Sequence, residues 1–233
     1  MLNNQLVNAI LAAFERDKDI NLHQAPISVR GDDVICLEGE VTDIVMKRKA
    51  VRIAKETAKT QSIDDRLRLR VGHQRNNKEL LNATVTALMQ EPAFSDMEIR
   101  ETSSQPPSHD RGWVDVAVED TVVKLTGEVR SLSHRRLAEV IAWWVPGSCD
   151  VKNFLHVHPA ETETDDEISD VVRMVFDKEI SLDAEQISII TRNHEVTLRG
   201  VVFSDEQKRI ATYDCWYIPG VREVHNELVV MPR

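Results

Sequence analysis

The chain has 233 residues with 29 basic and 39 acidic side chains, a formal net charge of −10. This excess of acid argues against a general nucleic-acid-binding protein, which needs clustered cations to hold phosphate backbones. No apolar run reaches the roughly 18 residues that a membrane-spanning helix requires. The hydrophobic fraction of 42% suits packed domains, so wholesale disorder is excluded as well.

The three cysteines, Cys36, Cys149 and Cys215, lie far apart. An odd number of separated cysteines is typical of a reduced compartment rather than of a disulfide scaffold. The first residues carry no positive charge, and the apolar stretch from Ala9 to Phe14 is too short for a secretory signal. We therefore expect a cytoplasmic protein, whereas a signal peptide removed from the start of this sequence would place it in the periplasm.

A threefold internal repeat organises the sequence. In each copy a Gly has Leu two residues before it and Val two residues after it, and these glycines are Gly39, Gly127 and Gly200. This period of two places Leu and Val on one buried face of a strand. Nine residues after each Gly stands an arginine, namely Arg48, Arg136 or Arg209. Matches at the same offsets in three copies indicate a true repeat.

Each copy contains the same predicted elements in chain order. An amphipathic helix comes first, at residues 6–14, 80–88 and 168–176. A short alternating strand and a tight polar turn then lead into the glycine strand as a hairpin. A second helix crosses over to a last strand, which such a connection places parallel to an earlier one. The sequence predicts an α+β fold of three small αββαβ domains, each a three-stranded mixed sheet covered on one face by two helices.

We place the three copies at residues 1–75, 76–160 and 161–233. The second copy is longer because residues are inserted at about 100–112, where the segment contains Pro106 and Pro107. This composition predicts a mobile exposed loop, and a functional loop is the alternative.

The repeated Gly, Pro-Gly and Asn positions have structural explanations. A Gly inside a strand marks a bulge or the close approach of a helix. Gly147 and Gly220 each follow a proline and are expected to supply the left-handed cap that ends the second helix. Asn153 and Asn226 are expected to hydrogen-bond turn backbone where the last strand begins.

The motifs of the second and third copies resemble those of the BON domain (bacterial OsmY and nodulation) family. The second copy reads VVKLTGEV at 122–129, WVPG at 144–147 and VKNFLHV at 151–157, and the third reads VTLRG at 196–200, IPGV at 218–221 and VHNELVV at 224–230. The resemblance covers nearly the whole chain. The first copy departs from it, since Lys59-Thr60-Gln61-Ser62 replaces the Pro-Gly turn and Asp65 replaces the Asn. We expect the first copy to keep the fold with a lost or altered surface role.

The resemblance implies a bacterial protein without enzymatic activity that associates with phospholipid surfaces or with the envelope in osmotic and stress responses. It leaves two alternatives open, because some relatives bind potassium and others act as chaperones. The residues themselves agree on the lack of catalysis, since no Ser-His-Asp, Cys-x-x-Cys, phosphate-loop or dinucleotide-binding pattern is present. His156 and His158 share one side of a strand but have no third ligand nearby, so we expect no metal and no cofactor.

The charges are unevenly distributed among the copies. Residues 1–75 carry a net charge of +2, residues 76–160 of −4 and residues 161–233 of −8. The first copy holds its cations in two rows: the helix row (Arg48, Arg52, Lys55 and Lys59) and the strand row (Arg66, Arg68 and Arg70). If both are exposed they form a basic patch that suits anionic lipid head groups, with about 1 kcal/mol per cation. The alternative is a solvated surface balanced by neighbouring carboxylates.

Trp143 and Trp144 complete the predicted binding residues. They are adjacent on a helix, so at most one of them can point fully inward. The other either anchors the protein at a membrane surface or is partly buried against a neighbouring copy. The sequence thus predicts an anionic phospholipid surface or a protein as partner and leaves the oligomeric state open.

Overall fold

The computed structural model describes residues 2–31, 33–59, 61–72, 75–102 and 112–231, and it divides the chain into two compact units. The first unit is Met1–Arg70 and the second is Val71–Arg233. The first unit holds one repeat and the second unit holds the other two. None of the helices in the described ranges is long and apolar enough to cross a membrane.

All three repeats contain the predicted helices and strands. In the first repeat they are α1 (Leu2–Arg16), β1 (Ser28–Arg30), β2 (Val34–Val41), α2 (Ile44–Ala58) and β3 (Ser62–Leu69). In the second they are α3 (Asn77–Met89), β4 (Glu98–Glu101), β5 (Trp113–Glu119), β6 (Val122–Val129), α4 (Leu132–Trp144) and β7 (Asp150–Val157). In the third they are α5 (Asp165–Lys178), β8 (Ile187–Arg192), β9 (Glu195–Val202), α6 (Asp205–Tyr217) and β10 (Glu223–Val230).

The strand that carries the repeated glycine lies at the centre of each repeat's pairing. It pairs antiparallel with the preceding strand and parallel with the following one, as in β1–β2–β3 and β8–β9–β10. The antiparallel pair is the predicted hairpin, and the parallel pair follows from the crossover helix. The predicted α+β fold with mixed sheets is confirmed.

The second repeat differs from the prediction by one strand. β4 pairs parallel with β5, so this sheet has the order β4–β5–β6–β7 and four strands. Its segment overlaps the start of the expected insertion at about 100–112, and residues 103–111 of that insertion lie outside the described residues. Arg100 joins β4 to β5, since its Nε donates to Asp115 at 2.5 Å and its guanidinium lies 5.4 Å from the centre of the Trp113 ring.

The core of each repeat lies between its sheet and its helices. In the first unit, alternate residues of β2, among them Ile35 and Leu37, pack against Phe14 of α1 and Ala50 of α2. The crossover helices begin at capping residues whose side-chain oxygens accept a backbone N–H three residues on. These residues are Asp43, Ser131 and Ser204. The alternation of buried and exposed positions decides which side chains remain available for binding.

Candidate surface-binding sites

Arg48, Arg52 and Lys55 of the helix row lie on the side of α2 that faces away from the core, whereas Lys59 is the cap residue just after the helix, with φ of +55°. The buried positions of α2 include Ala50, Ala54 and Ala58, which pack against the sheet. Arg48 and Arg52 are half-buried, whereas Lys55 and Lys59 are exposed. The Arg52 guanidinium lies 3.4 Å from Glu56, the one acidic residue of α2. This side of the helix is therefore predominantly cationic.

The strand row lies on the opposite face of the same sheet. Leu67 of β3 is buried against the helices, so Arg66 and Arg68, its immediate neighbours, point to the other face. The two rows of cations predicted to form one basic patch are thus separated by the sheet. Because strand side chains alternate between the two faces, each row forms a cationic surface of its own, and binding by either row stays a prediction.

Carboxylates accompany the strand row. Asp64 accepts a hydrogen bond from Arg66 at 2.7 Å, and this bond and the charge of Asp64 raise the pKa of Arg66. Glu38 and Glu40 of β2 stand directly beside Arg66 and Arg68 in the strand register. Arg70 lies 3.9 Å from Glu40 and donates to the carbonyl of Gln24 at 3.4 Å. The strand row matches the alternative reading of a solvated, charge-balanced surface, and the helix row is the stronger cationic site.

Two further lysines of α2 are buried and paired with carboxylates. Lys47 is 2% exposed, and its Nζ donates to both carboxylate oxygens of Asp65 and to the carbonyl of Leu67. Lys49 is 4% exposed and bonds to Asp19 at 2.6 Å. The carboxylates compensate the charge of each buried lysine, and neither lysine is available at the surface.

Asp65 also shows how the first repeat replaces the family asparagine. Asn153 and Asn226 each accept the N–H two residues on, and their amide nitrogens donate to carbonyls of the crossover helix at 2.8 Å. Asp65 accepts the equivalent N–H of Leu67 but cannot donate, and Lys47 bonds to it instead. The two asparagines were expected to hydrogen-bond the backbone of a turn. They bond instead to the backbone of the last strand and to the backbone of the crossover helix.

The strand glycines are required by backbone carbonyls of the neighbouring strand or of the segment that leads into it. At Gly127, where φ is +136°, an added Cβ would lie 2.2 Å from the carbonyl oxygen of Trp113. At Gly200 the distance to the Gln186 carbonyl would be 1.9 Å, and Gly39 approaches Pro26 in the same way. Gly147 and Gly220 adopt φ of +102° and +98° in the turns that follow α4 and α6.

Both tryptophans lie where the second repeat packs against the third within the second unit. Trp143 is 6% exposed, and its ring centroid lies 6.0 Å from that of Tyr217. The indole nitrogen of Trp144 donates to Asp214 at 3.1 Å. The Trp143 ring is buried between repeats, so a membrane-anchoring role for Trp143 stays a prediction that its burial does not favour. Trp144 is half-buried and its polar edge is occupied by the third repeat.

Arg136 is the central polar residue of this contact between repeats. Its side chain is 3% exposed, its Nε donates to the carbonyl of Pro219 at 2.7 Å, and its guanidinium pairs with Glu167 and, at 3.4 Å, with Glu163. The sequence marked this arginine by its position nine residues after Gly127 but gave no sign of its partners, which lie in another repeat.

Asp214 is a buried carboxyl at the same contact. It is 3% exposed, and its Oδ2 has no hydrogen-bond partner among the described residues. Burial raises its pKa to about 7; the bond from Trp144 opposes this shift and the charge of Glu179 adds to it. A carboxyl with such a pKa changes charge near neutral pH.

No arrangement typical of a metal site is present in the described ranges. No three His, Cys, Asp or Glu side chains are grouped so that they could hold an ion. Cys36, Cys149 and Cys215 are free thiols, and burial raises the pKa of Cys215 well above its ordinary value.

Comparisons with known proteins bear on the fold and the family. No curated protein matches the chain. Two solved structures of CdsD, a structural protein of the type III secretion system of Chlamydia trachomatis, are similar to it. The first, its C-terminal domain, is 13% identical, with a TM-score of 0.26 and coverage of 97% of this chain and 98% of that one. The second is 14% identical, with a TM-score of 0.27 and coverage of 98% and 93%. Similarity this weak carries no argument about function.

The family model gives the decisive match. The BON domain matches residues 3–71, 105–159 and 164–232, which is most of the chain. These three matches contain the glycine strand, the crossover helix and the last strand of every repeat. The predicted resemblance is confirmed: the chain belongs to the BON domain family and carries three copies of the domain.

Proposed function

We propose that this protein is a non-enzymatic binding protein that associates peripherally with anionic phospholipid surfaces in the bacterial stress response. Membership of the BON family, whose domains are associated with phospholipid and envelope binding, supports the general class. The observation that carries the specific proposal is the helix row, where Lys55 and Lys59 are exposed beyond the half-buried Arg48 and Arg52. The lipid head groups would pair with these cations while the sheet stays folded beneath them.

Co-sedimentation with vesicles of anionic and of neutral phospholipid tests this proposal. Replacing Lys55 and Lys59 by Gln removes two cations worth about 2 kcal/mol together. We expect the partition coefficient on anionic vesicles to fall roughly thirtyfold. Binding should also weaken as salt is raised, because exposed charges are screened.

The strand row supplies a matched control. Arg66→Gln with Arg68→Gln removes the same two charges from the same unit, but from the face where Glu38 and Glu40 stand beside them. We expect this variant to pellet nearly as the original protein does. Equal losses in both variants would show that net charge alone governs binding, and no loss in either would refute the helix row as the site.

A further inference from the structure

A groove in the second unit has the composition of a small-molecule site. It has a volume of about 420 Å³ and lies between α3, the end of α4 and the end of α5. This volume is within the range of about 300–1,000 Å³ typical of ligand pockets. We propose that it binds an amphipathic monoanion, a carboxylate with an aliphatic body. This proposal does not rest on the membrane association proposed above, which involves the other unit.

The walls of the groove are mostly apolar. Ala83 and Ala87 stand one turn apart on α3 and leave space because their side chains are short. Opposite them lie Ile141 and the ring of Trp144 from α4, followed by Pro146. The bond from the indole nitrogen of Trp144 to Asp214 fixes that ring in place. Such walls suit a hydrocarbon chain, whose burial is favourable by about 0.8 kcal/mol per methylene, or roughly fourfold in affinity.

The charges at the groove leave one cation unmatched. Lys178 pairs with Glu91 at 2.8 Å, and the same carboxylate oxygen accepts the N–H of Ala93. Arg75, by contrast, forms no hydrogen bond or ion pair with any described residue. Its stem lies over the turn after α4, since a Cβ added at Gly147 would be 3.3 Å from Cβ and Cγ of Arg75. The groove therefore has one guanidinium at its edge with five donors for an anion.

This local charge is opposite to that of its surroundings. The second unit carries 17 basic and 28 acidic residues, a net charge of −11. At physiological ionic strength the Debye length is about 8 Å, so the nearest charges dominate at the groove. A single unmatched arginine beside an apolar wall thus selects a ligand with one negative charge and a hydrophobic body over a neutral or cationic one.

Titration of the full chain with decanoate, followed by calorimetry and by the indole N–H resonance of Trp144, tests the proposal. Decylammonium has the same chain with the opposite charge and serves as the matched ligand. We expect decanoate to bind and to shift the Trp144 resonance, octanoate to bind more weakly by roughly fourfold per missing methylene, and decylammonium to bind at least tenfold more weakly than decanoate. Equal affinity for decanoate and decylammonium, or no binding of either at millimolar concentration, would overturn the assignment.

Two variants and a control complete the experiment. Arg75→Gln should lower decanoate affinity at least tenfold, as expected for loss of a charged hydrogen bond. Ala87→Phe should fill the groove and abolish binding, while Arg173→Gln, an equal loss of charge on the exposed side of α5, should leave decanoate binding unchanged.

Vesicles of anionic phospholipid, added as a competitor of decanoate, distinguish the two possible sources of such a ligand. If the vesicles displace decanoate and this displacement depends on Arg75, the natural ligand is a lipid acyl chain or head group. If the vesicles do not displace decanoate, the natural ligand is a free fatty acid. Equal effects of the Arg75→Gln and Arg173→Gln changes on decanoate affinity would overturn the site.

Discussion

At some positions of this protein, the type of residue is dictated by contacts with backbone from another part of the chain. Gly127 is the clearest case, because its positive φ and the Trp113 carbonyl both exclude a side chain. The spacing of the repeat identified this glycine, but the atom that excludes the Cβ belongs to the neighbouring strand. The spacing of the repeat therefore predicts where a glycine is needed. It does not predict the steric reason, which depends on the paired strand.

Replacing Gly127 by Ala tests this explanation. We expect the free energy of unfolding of the second unit to fall by about 1–3 kcal/mol from backbone strain, with a further loss if β5 must shift. Urea denaturation measures the change. Gly72→Ala is the matched control, since an added Cβ there meets no described atom within 4 Å. Equal effects of the two changes would contradict the account.

Asp214 gives the second unit a dependence on pH. Its pKa is about 7 in the folded protein and near 3.9 in an unfolded chain. Between these values the folded state holds a proton that the unfolded state has lost, so stability falls as pH rises from about 4 to about 7. The effect is on the order of a few kcal/mol, because each pKa unit corresponds to about 1.4 kcal/mol.

Asp214→Asn removes this ionisation and keeps an acceptor for the Trp144 indole. We expect the variant to lose much of the fall in stability between pH 4 and pH 7, measured as the urea midpoint at each pH. Asp170→Asn, at an exposed position of α5, should retain the original slope. An unchanged slope in the Asp214→Asn protein would show that another group titrates.

At the scale of elements, the repeat places equivalent helices in different surroundings. Arg136 of α4 and Arg209 of α6 both stand nine residues after the strand glycine. Arg136 is buried against the turn after α6, whereas the Arg209 side chain is 54% exposed and pairs with Glu206 within its own helix. The sequence made the two arginines alike, and the packing of one repeat on another made them different.

These two arginines therefore give a prediction with its own control. Arg136→Ala leaves Glu167 and the Pro219 carbonyl without their partner, and we expect a loss of about 3–5 kcal/mol in unfolding free energy. Arg209→Ala breaks an exposed pair and should cost less than about 1 kcal/mol. Thermal unfolding measures both, and similar costs would show that the contact between the repeats does not depend on Arg136.

For the whole molecule, three sequence repeats form two compact units. The second and third repeats share the contact of Arg136, Trp143 and Asp214, so we expect them to unfold together and the first unit to unfold separately. All four tryptophans lie in the second unit, at positions 113, 143, 144 and 216. Tryptophan fluorescence should thus report one transition, and far-ultraviolet circular dichroism should report two. A third transition, or two transitions seen by fluorescence, would contradict this division.

The sequence predicted the fold of each repeat almost completely and the candidate sites only in part. Period-two alternation, the glycine strand and the crossover helix are local patterns, and they gave the correct order and pairing of strands. β4 was missed because it runs into the start of the insertion, where no repeat offered a comparison. The helix row and the strand row were both identified as cationic, but the pattern of each element alone did not show that a sheet separates them.

The amino-acid sequence by itself determined that this chain repeats one αββαβ domain three times and that positive charge is concentrated in the first copy. Both properties follow from the spacing and the type of residues along the chain, and these can be read without knowing the fold. The tertiary structure alone decided that Trp143 is buried, that Lys47 neutralises Asp65, and that Arg75 is left unmatched beside an apolar groove. Burial and charge pairing depend on residues brought together from distant parts of the chain, and for that reason no local pattern contains them.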